Sequence, residues 1–537
     1  MAEAKKQNFL HGAVILTAGL IIVKILGAIY KIPLGNMLGD DGYGYFLAAY
    51  NVYNVFYTVS TAGVPVALSR LIAAADANGR PMQIRRYYRT ALVTFFIVGV
   101  ICSSVMFLFP NELANLIANP KAAQSIWAIS PSVLLCCMLA VYRGYVQGHS
   151  NMIPTAVSQV LEVLFKVLCG LGLVVVFTNM GKSLPLRSAA AISGVTAGSL
   201  IALIYLIVYK FRHYGDAPLP AEQTDIPDGY SSTLKKLLII AIPISIGASI
   251  QSVINLIDTW QAKALLQGAA GFNQDAADVL FGVYGKAQTL YNLPATIISS
   301  LSVSLVPAVA AQFALKNEQG AKRTAETALR LTVVMAMPMA VGLSVLSRPI
   351  MKVLYWNAAE EGATLLLILG AAAFFLCMVT VMTGILQAAG KERLPVIAAV
   401  IGGVVKVLVN RVLISNPSIN IYGAAIGTLC CFFTVCVLDF LFLKSCFGQL
   451  PKLRNICLRP LISTAVMGVS AFLVYRLCGV VLGSDPGRFL MLVYLGVSIL
   501  LAVLVYGVMV IKTGSITAED LKLIPKGEKI AKILKIS

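Results

Sequence analysis

Lys24, Lys166, Lys286 and Lys406 stand inside long apolar runs of this sequence, and so do the acids Glu162, Asp258 and Asp439. A charge at the centre of a membrane helix costs about 2.5–3.5 kcal/mol on insertion scales, so each of these residues needs a partner, a cavity or an interface. Arg143, Arg330 and Arg411 fall near the ends of such runs, where a long side chain can reach the headgroups, and Arg476 lies within a later run. Glu162 and Lys166 have the i,i+4 spacing of a local ion pair. Lys24, Lys286 and Lys406 have no acid at helical spacing. Cations of this kind favour an anionic ligand, and a pyrophosphate has the charge density that lysine binds well. A cation exporter needs carboxylates instead. The first three apolar runs offer none, because Asp40, Asp41 and Asp76 read as loop residues.

The rest of the sequence is poor in reactive groups. Its three histidines are His11, His149 and His213, and no long connecting segment carries paired carboxylates for acid–base work. A membrane glycosyltransferase or polymerase is therefore disfavoured, and no enzyme activity is expected. The cysteines fall almost wholly in or beside apolar runs without a C-x-x-C spacing, so neither a metal site nor a cofactor is expected.

These residues must be positioned by membrane helices. Of 537 residues, 58% are hydrophobic and only 12% charged. Windows of about 19 residues resolve the chain into runs that span a hydrocarbon core of about 30 Å as helices. They cover 9–30, 43–69, 90–109, 126–146, 154–177 and 188–209, then 237–261, 279–310, 328–347, 363–386, 394–414 and 421–443, and finally 460–482 and 489–511. The expected fold is an all-α polytopic membrane protein with about fourteen transmembrane helices. Between the first two runs, Gly35, Gly39, Gly42 and Gly44 predict a tight connection with bends. Tyr50, Tyr53, Phe56 and Tyr57 follow at helical spacing, as a packed face requires.

Two stretches about 240 residues apart carry the same punctuation. Gly144-Tyr-Val-Gln147, Pro154 and Lys166 match Gly384-Ile-Leu-Gln387, Pro395 and Lys406, and Val64-Pro65 matches Val306-Pro307 in nearly the same register. The pattern predicts two six-helix bundles related by a parallel internal repeat, enclosing a central cavity. The first covers 1–210 and the second 237–444, joined by a proline-bearing cytoplasmic linker over 211–236. Helices thirteen and fourteen, in 445–511, lie outside the repeat as an accessory pair that widens a lipid-facing groove. A basic amphipathic tail over 512–537 closes the chain.

Charge placement gives the orientation. With the N-terminus inside, the cytoplasmic connections gather Lys5 and Lys6, the arginines from Arg70 to Arg89, Lys235 and Lys236, Lys322 and Arg323, and the lysines of the tail. The opposite side holds few, among them Lys31, Lys121, Lys182 and Lys263. The positive-inside rule then puts both termini in the cytoplasm. The +19 net charge is explained by anionic membrane lipids and calls for no nucleic acid. A monomer is expected.

The run from Arg143 to Glu162, with Tyr291-Asn-Leu-Pro294, Leu305-Val-Pro307 and Tyr422-Gly-Ala-Ala-Ile-Gly-Thr428, resembles the polysaccharide-biosynthesis branch of the multidrug/oligosaccharidyl-lipid/polysaccharide exporter superfamily. The likeness is to stage V sporulation protein B and MurJ-like lipid II flippases and spans nearly the whole chain. It implies a flippase that carries an undecaprenyl-pyrophosphate-linked saccharide, lipid II foremost, across the bacterial cytoplasmic membrane by alternating access. The pyrophosphate is received in a basic cavity. By position Lys24 matches a family cation, Lys31 lies near a second, and Lys286 sits in the helix that bears another. Tyr57 or Thr58 stands where the family has an arginine. Some MurJ-like members bind sodium in a place that Asp258, Asn410 and Thr428 match, but Lys406 occupies a ligand position there. A lysine repels sodium, so Asp258 and Lys406 are expected to pair instead. Arg143, Glu162 and Lys166 are further candidates for the site. The alternative within the superfamily is a cation-coupled multidrug exporter.

Overall fold

A computed structural model describes residues 9–214, 225–314, 317–448, 453–482 and 487–515. Most of the expected tail, the middle of the linker, and Lys5 and Lys6 lie outside the described residues. The described chain is helical, with no strand. Its helices are α1 (Phe9–Thr61), α2 (Val64–Ala77), α3 (Pro81–Leu108), α4 (Pro110–Leu116), α5 (Ala123–Gly148), α6 (Ile153–Asn179), α7 (Leu184–His213) and α8 (Tyr230–Gln267). They continue as α9 (Gln274–Ala314), α10 (Glu318–Val345), α11 (Ser347–Leu354), α12 (Ala359–Ala388), α13 (Arg393–Ile414), α14 (Tyr422–Phe447), α15 (Leu453–Leu482) and α16 (Arg488–Thr513). Among the described residues, 12 helices are long and apolar enough to cross a membrane. The expected fourteen is reached if α1 crosses twice and α9 adds a pass.

The glycine-rich connection is not a loop. It is helical throughout except at Gly39, whose φ of 71° and ψ of −171° divide α1 into two limbs. Only glycine takes that conformation without strain. Asp40 and Asp41, expected in a loop, begin the second limb, and Asp76 lies within α2. The expected second run is also divided, since α1 ends at Thr61 and Pro65 opens α2.

The chain forms two compact units, residues 1–264 with 273–282, and residues 265–272 with 283–537. In the first, α5 packs against α1, α2, α3 and α7, while α6 lies along α7 and α1. Most of α8 belongs to this unit. The Gly63 amide donates to Ser245 Oγ at 3.0 Å, and Asn51 Nδ2 donates to Thr259 Oγ1 at 2.8 Å. In the second unit α12 packs between α10 and α14, α13 lies along α14, and α15 joins α16 to α10.

The linker's described end is fastened to α3. Asp225 accepts from the amides of Met82 and Gln83 at 2.8 and 3.1 Å, which caps the helix N-terminus with a carboxylate from far along the chain. Asp228 takes Lys236 at 2.5 Å, and that hydrogen bond holds its carboxyl below the ordinary carboxylate range. The contact is therefore intact at neutral pH and is lost as acid protonates Asp228.

Where α6 meets α7, a Cβ on Gly194 would stand 2.6 Å from the Lys166 carbonyl oxygen, and one on Gly170 would stand 2.8 Å from the Tyr30 hydroxyl. Small residues let these backbones approach, as in other membrane helix pairs. Gly194→Ala is expected to cost about 1–3 kcal/mol by overpacking. Thermal unfolding in detergent should show a lower midpoint for this variant and an unchanged one for Gly172→Ala, where a Cβ meets nothing within 4 Å.

Candidate functional site

The close approach of α6, α7 and α1 creates a basic, aromatic site in the first unit. Tyr30, fully buried, donates its hydroxyl to the Ala191 carbonyl at 3.0 Å and is fixed by that bond. Lys166 of α6 projects its ammonium between Tyr30 and Tyr50, 5.5 and 4.9 Å from the ring centroids. A cation over aromatic faces is held by the ring quadrupole without being neutralised. Lys31 is the next residue after Tyr30, and its charge is close enough to Lys166 for the two to repel. Two half-buried ammoniums close enough to repel are suited to an anion with several oxygens. The aromatic wall continues along α1 as Tyr43, Phe46, Tyr50, Tyr53 and Tyr57, with successive centroids 5.6–6.0 Å apart. Of the face expected to pack, Tyr50, Tyr53 and Tyr57 join this stack, and Tyr50 is the one of them that lies against Lys166.

The local pairing predicted for Glu162 and Lys166 does not form. Arg143, expected to reach out from a helix end, turns inward and donates to Glu162 Oε2 at 2.7 Å and to Ser158 Oγ at 3.0 Å. Ser199 donates to the other Glu162 oxygen at 3.3 Å. The reason is geometric: α5 and α6 are linked by a short turn, so Arg143 reaches a carboxylate that helical spacing alone assigned to Lys166. Lys24 lies in the first limb of α1, and its side chain is outside the described residues.

In the second unit Lys286 of α9 is 1% exposed, with its ammonium 5.4 Å from the Tyr355 ring centroid. Thr428 lies 3.0 Å from the Tyr284 hydroxyl and donates to the Ala424 carbonyl at 2.9 Å. Gly427 beside it leaves room for the Asn410 side chain, where a Cβ would collide. Asn410 and Thr428 are thus brought together by α13 and α14, and Lys406 is buried one turn before Asn410. Asp258, also buried, belongs to the first unit. Among the described residues no group of His, Cys, Asp or Glu is arranged to hold a metal ion.

A feature that sequence reading missed lies where α8 and α9 return to α1. Lys263 and Asp278 form an ion pair in which both side chains are 0% exposed, and Lys121 pairs with Asp275 beside it. Lys263 was expected in an outer connection, but α8 runs on to Gln267 and carries it inside. Gly44 and Gly282 make the approach possible. A Cβ on Gly44 would stand 2.8 Å from the Asp278 carbonyl oxygen, and one on Gly282 would overlap that of Asp40.

Residues 9–313 match the family described as polysaccharide biosynthesis protein. The chain belongs to that family. Residues 243–412 also match the MatE family. Over 533 residues it is 28% identical to the uncharacterized membrane protein YabM of Bacillus subtilis, covering 99% of this chain and 97% of that one. It is 26% identical to the lipid II flippase MurJ of the same organism over 506 residues, 90% of this chain and 91% of the relative. The fold is similar to that of a solved lipid II flippase MurJ in an inward closed conformation, with a TM-score of 0.69 and 15% identity over 92% of this chain and 98% of that chain. The family match, this fold and the long apolar helices make the protein a multi-spanning membrane protein.

Proposed function

We propose that the protein flips an undecaprenyl-pyrophosphate-linked saccharide, with lipid II as the foremost candidate, across the bacterial cytoplasmic membrane, both termini facing the cytoplasm. The observation that carries this reading is the pair Lys31 and Lys166 on an aromatic wall. Among the described residues no carboxylate acts on Lys31, so the site has surplus positive charge for a pyrophosphate. Lys286 and Lys24 are assigned the same role from the other apolar spans, and the half-buried rings of Tyr50 and Tyr57 suit the saccharide. An apolar cavity of about 360 Å³ supports a polyprenyl tail; Pro294, Met339, Met467 and Ile499 line it from α9, α10, α15 and α16. The expected lipid-facing role of the last two helices agrees with that lining. Anionic lipids contact the basic cytoplasmic connections. The protein acts as a monomer and leaves the lipid chemically unchanged.

Vesicles containing the purified protein and fluorescent lipid II test the reading. Lipid II is expected to change leaflet and not composition. The MatE match favours one other reading, cation-coupled drug export, and uptake of cationic dyes without lipid movement would establish it instead.

Bundle boundaries at 210 and 237 and the pairing of Asp258 with Lys406 are part of this proposal. Lys406→Ala is expected to destabilise the protein, and Asp258→Lys combined with Lys406→Asp to recover part of the loss, because the exchange keeps neutrality. A double variant no more stable than Lys406→Ala in thermal unfolding would rule the pairing out. With Lys406 in place, flipping should depend little on sodium.

A further inference from the structure

We propose that Asp439 of α14 is a proton-binding site that is loaded and emptied during the transport cycle, so that flipping is coupled to protons through the second unit. The inference rests on the transporter reading above and assigns a role to a residue that the basic site does not use.

Asp439 is 0% exposed. Thr383 of α12 donates to its Oδ2 at 3.2 Å, and Oδ1 is buried without a hydrogen-bond partner. Around it lies the apolar core of the unit, with Val381, Met382 and Ile385 from α12, Leu329 and Val333 from α10, Ile298 and Val309 from α9, and Ile456 from α15. Among the described residues the ionisable groups packed in or against this core are thiols: Cys377 from α12, Cys436 and Cys446 from α14, the first one turn before Asp439, and Cys457 from α15. On α13, the neighbour along the other side, Ala398 and Gly402 face α14, and Lys406 stands toward Gly427, well along the helix. Among the described residues no lysine, arginine or second acid acts on Asp439.

A carboxyl in such a place is neutral when it holds a proton and carries an uncompensated charge when it does not. A role in packing alone does not account for it, because a leucine would fill the space without leaving a buried oxygen unpaired. Nor does Thr383 need it. Thr380, one turn earlier, satisfies its hydroxyl on the Leu376 carbonyl of its own helix. Thr383 instead donates to the carboxylate and thereby lowers the cost of the ionised form. The arrangement supports both protonation states, as a site that exchanges protons must. Sodium is a poor occupant, since a hard cation takes a shell of about six oxygens and, among the described residues, the side chains seen to offer oxygen here are those of Asp439 and Thr383.

The test uses the full-length protein in vesicles and two readouts. Infrared difference spectra between acidic and alkaline buffer should contain a protonated-carboxyl band that titrates and is absent in Asp439→Asn. Thr383→Val, which keeps the carboxyl, should move the midpoint of that band to higher pH, because the ionised form loses its hydrogen bond. One pH unit changes the ratio of protonated to ionised carboxyl tenfold. An imposed pH gradient should therefore change the flipping rate of the wild type severalfold and leave that of Asp439→Asn unchanged. A band that does not titrate, or an equal response of wild type and Asp439→Asn to the gradient, overturns the proposal. So does a response to sodium at fixed pH that Asp439→Asn abolishes. If Asp439→Asn does not fold, the shifted midpoint in Thr383→Val still decides. If the wild type moves no lipid at all, the flippase reading fails while the infrared titration reports on Asp439 independently.

Discussion

Lys31→Gln combined with Lys166→Gln is expected to leave the protein folded and inserted yet slow pyrophosphate-lipid flipping by more than about 100-fold. Each charge-assisted hydrogen bond to a phosphate oxygen contributes about 1.5–3 kcal/mol, so losing two costs about 3 kcal/mol or more, and about 1.4 kcal/mol is a factor of ten. The fold should survive because the two ammoniums repel each other and their removal relieves that repulsion. An unfolding midpoint equal to or above the wild-type value is the control. Lys166→Arg keeps the charge between Tyr30 and Tyr50 and should retain part of the activity, whereas Tyr50→Leu removes one aromatic face and should cost less than the double variant, about 0.5–2 kcal/mol. Full activity in the double variant would sink the assignment of these lysines to the pyrophosphate.

The helices and their order were legible because a membrane span announces itself by length and apolarity, which the chain's own residues supply. The partners of the charges were not. Helical spacing pointed Glu162 at Lys166, four residues on, while the structure pairs it with Arg143 across the α5–α6 turn and leaves Lys166 to two tyrosines. Which neighbour wins depends on how three helices pack, and spacing along one helix carries no information about that. The four glycines after Lys31 show the same limit. Each is compatible with a bend, but only Gly39 adopts the left-handed conformation, and Gly44 is needed for the approach of α9 instead. The apolar runs do not reveal the basic character of this site, because sequence alone places Lys31 in an outer connection and gives Lys166 a local acid. The aromatic lining of Lys166 was half readable, since Tyr50 belongs to a helical stripe of rings read as a packed face.

Removing one member of the Lys263–Asp278 pair is the stability change with the largest expected effect. Asp278→Asn leaves a fully buried ammonium without its counter-charge, at a cost of about 3–5 kcal/mol, whereas replacing both residues by apolar ones of similar volume is expected to be neutral or stabilising. Thermal unfolding in detergent should therefore rank Asp278→Asn well below both the wild type and the double variant Lys263→Met/Asp278→Leu. A wild-type midpoint for Asp278→Asn would mean that water reaches the pair and that it contributes nothing. The pair joins the end of α8 to the start of α9, beside the place where Gly44 and Gly282 let α9 approach the second limb of α1. Hydrogen exchange at residues 268–273 should accordingly rise in Asp278→Asn. It should stay slow in the double variant, whose packed side chains keep the glycine contacts closed, and this separates loss of the charge pair from loss of the helix approach that it accompanies.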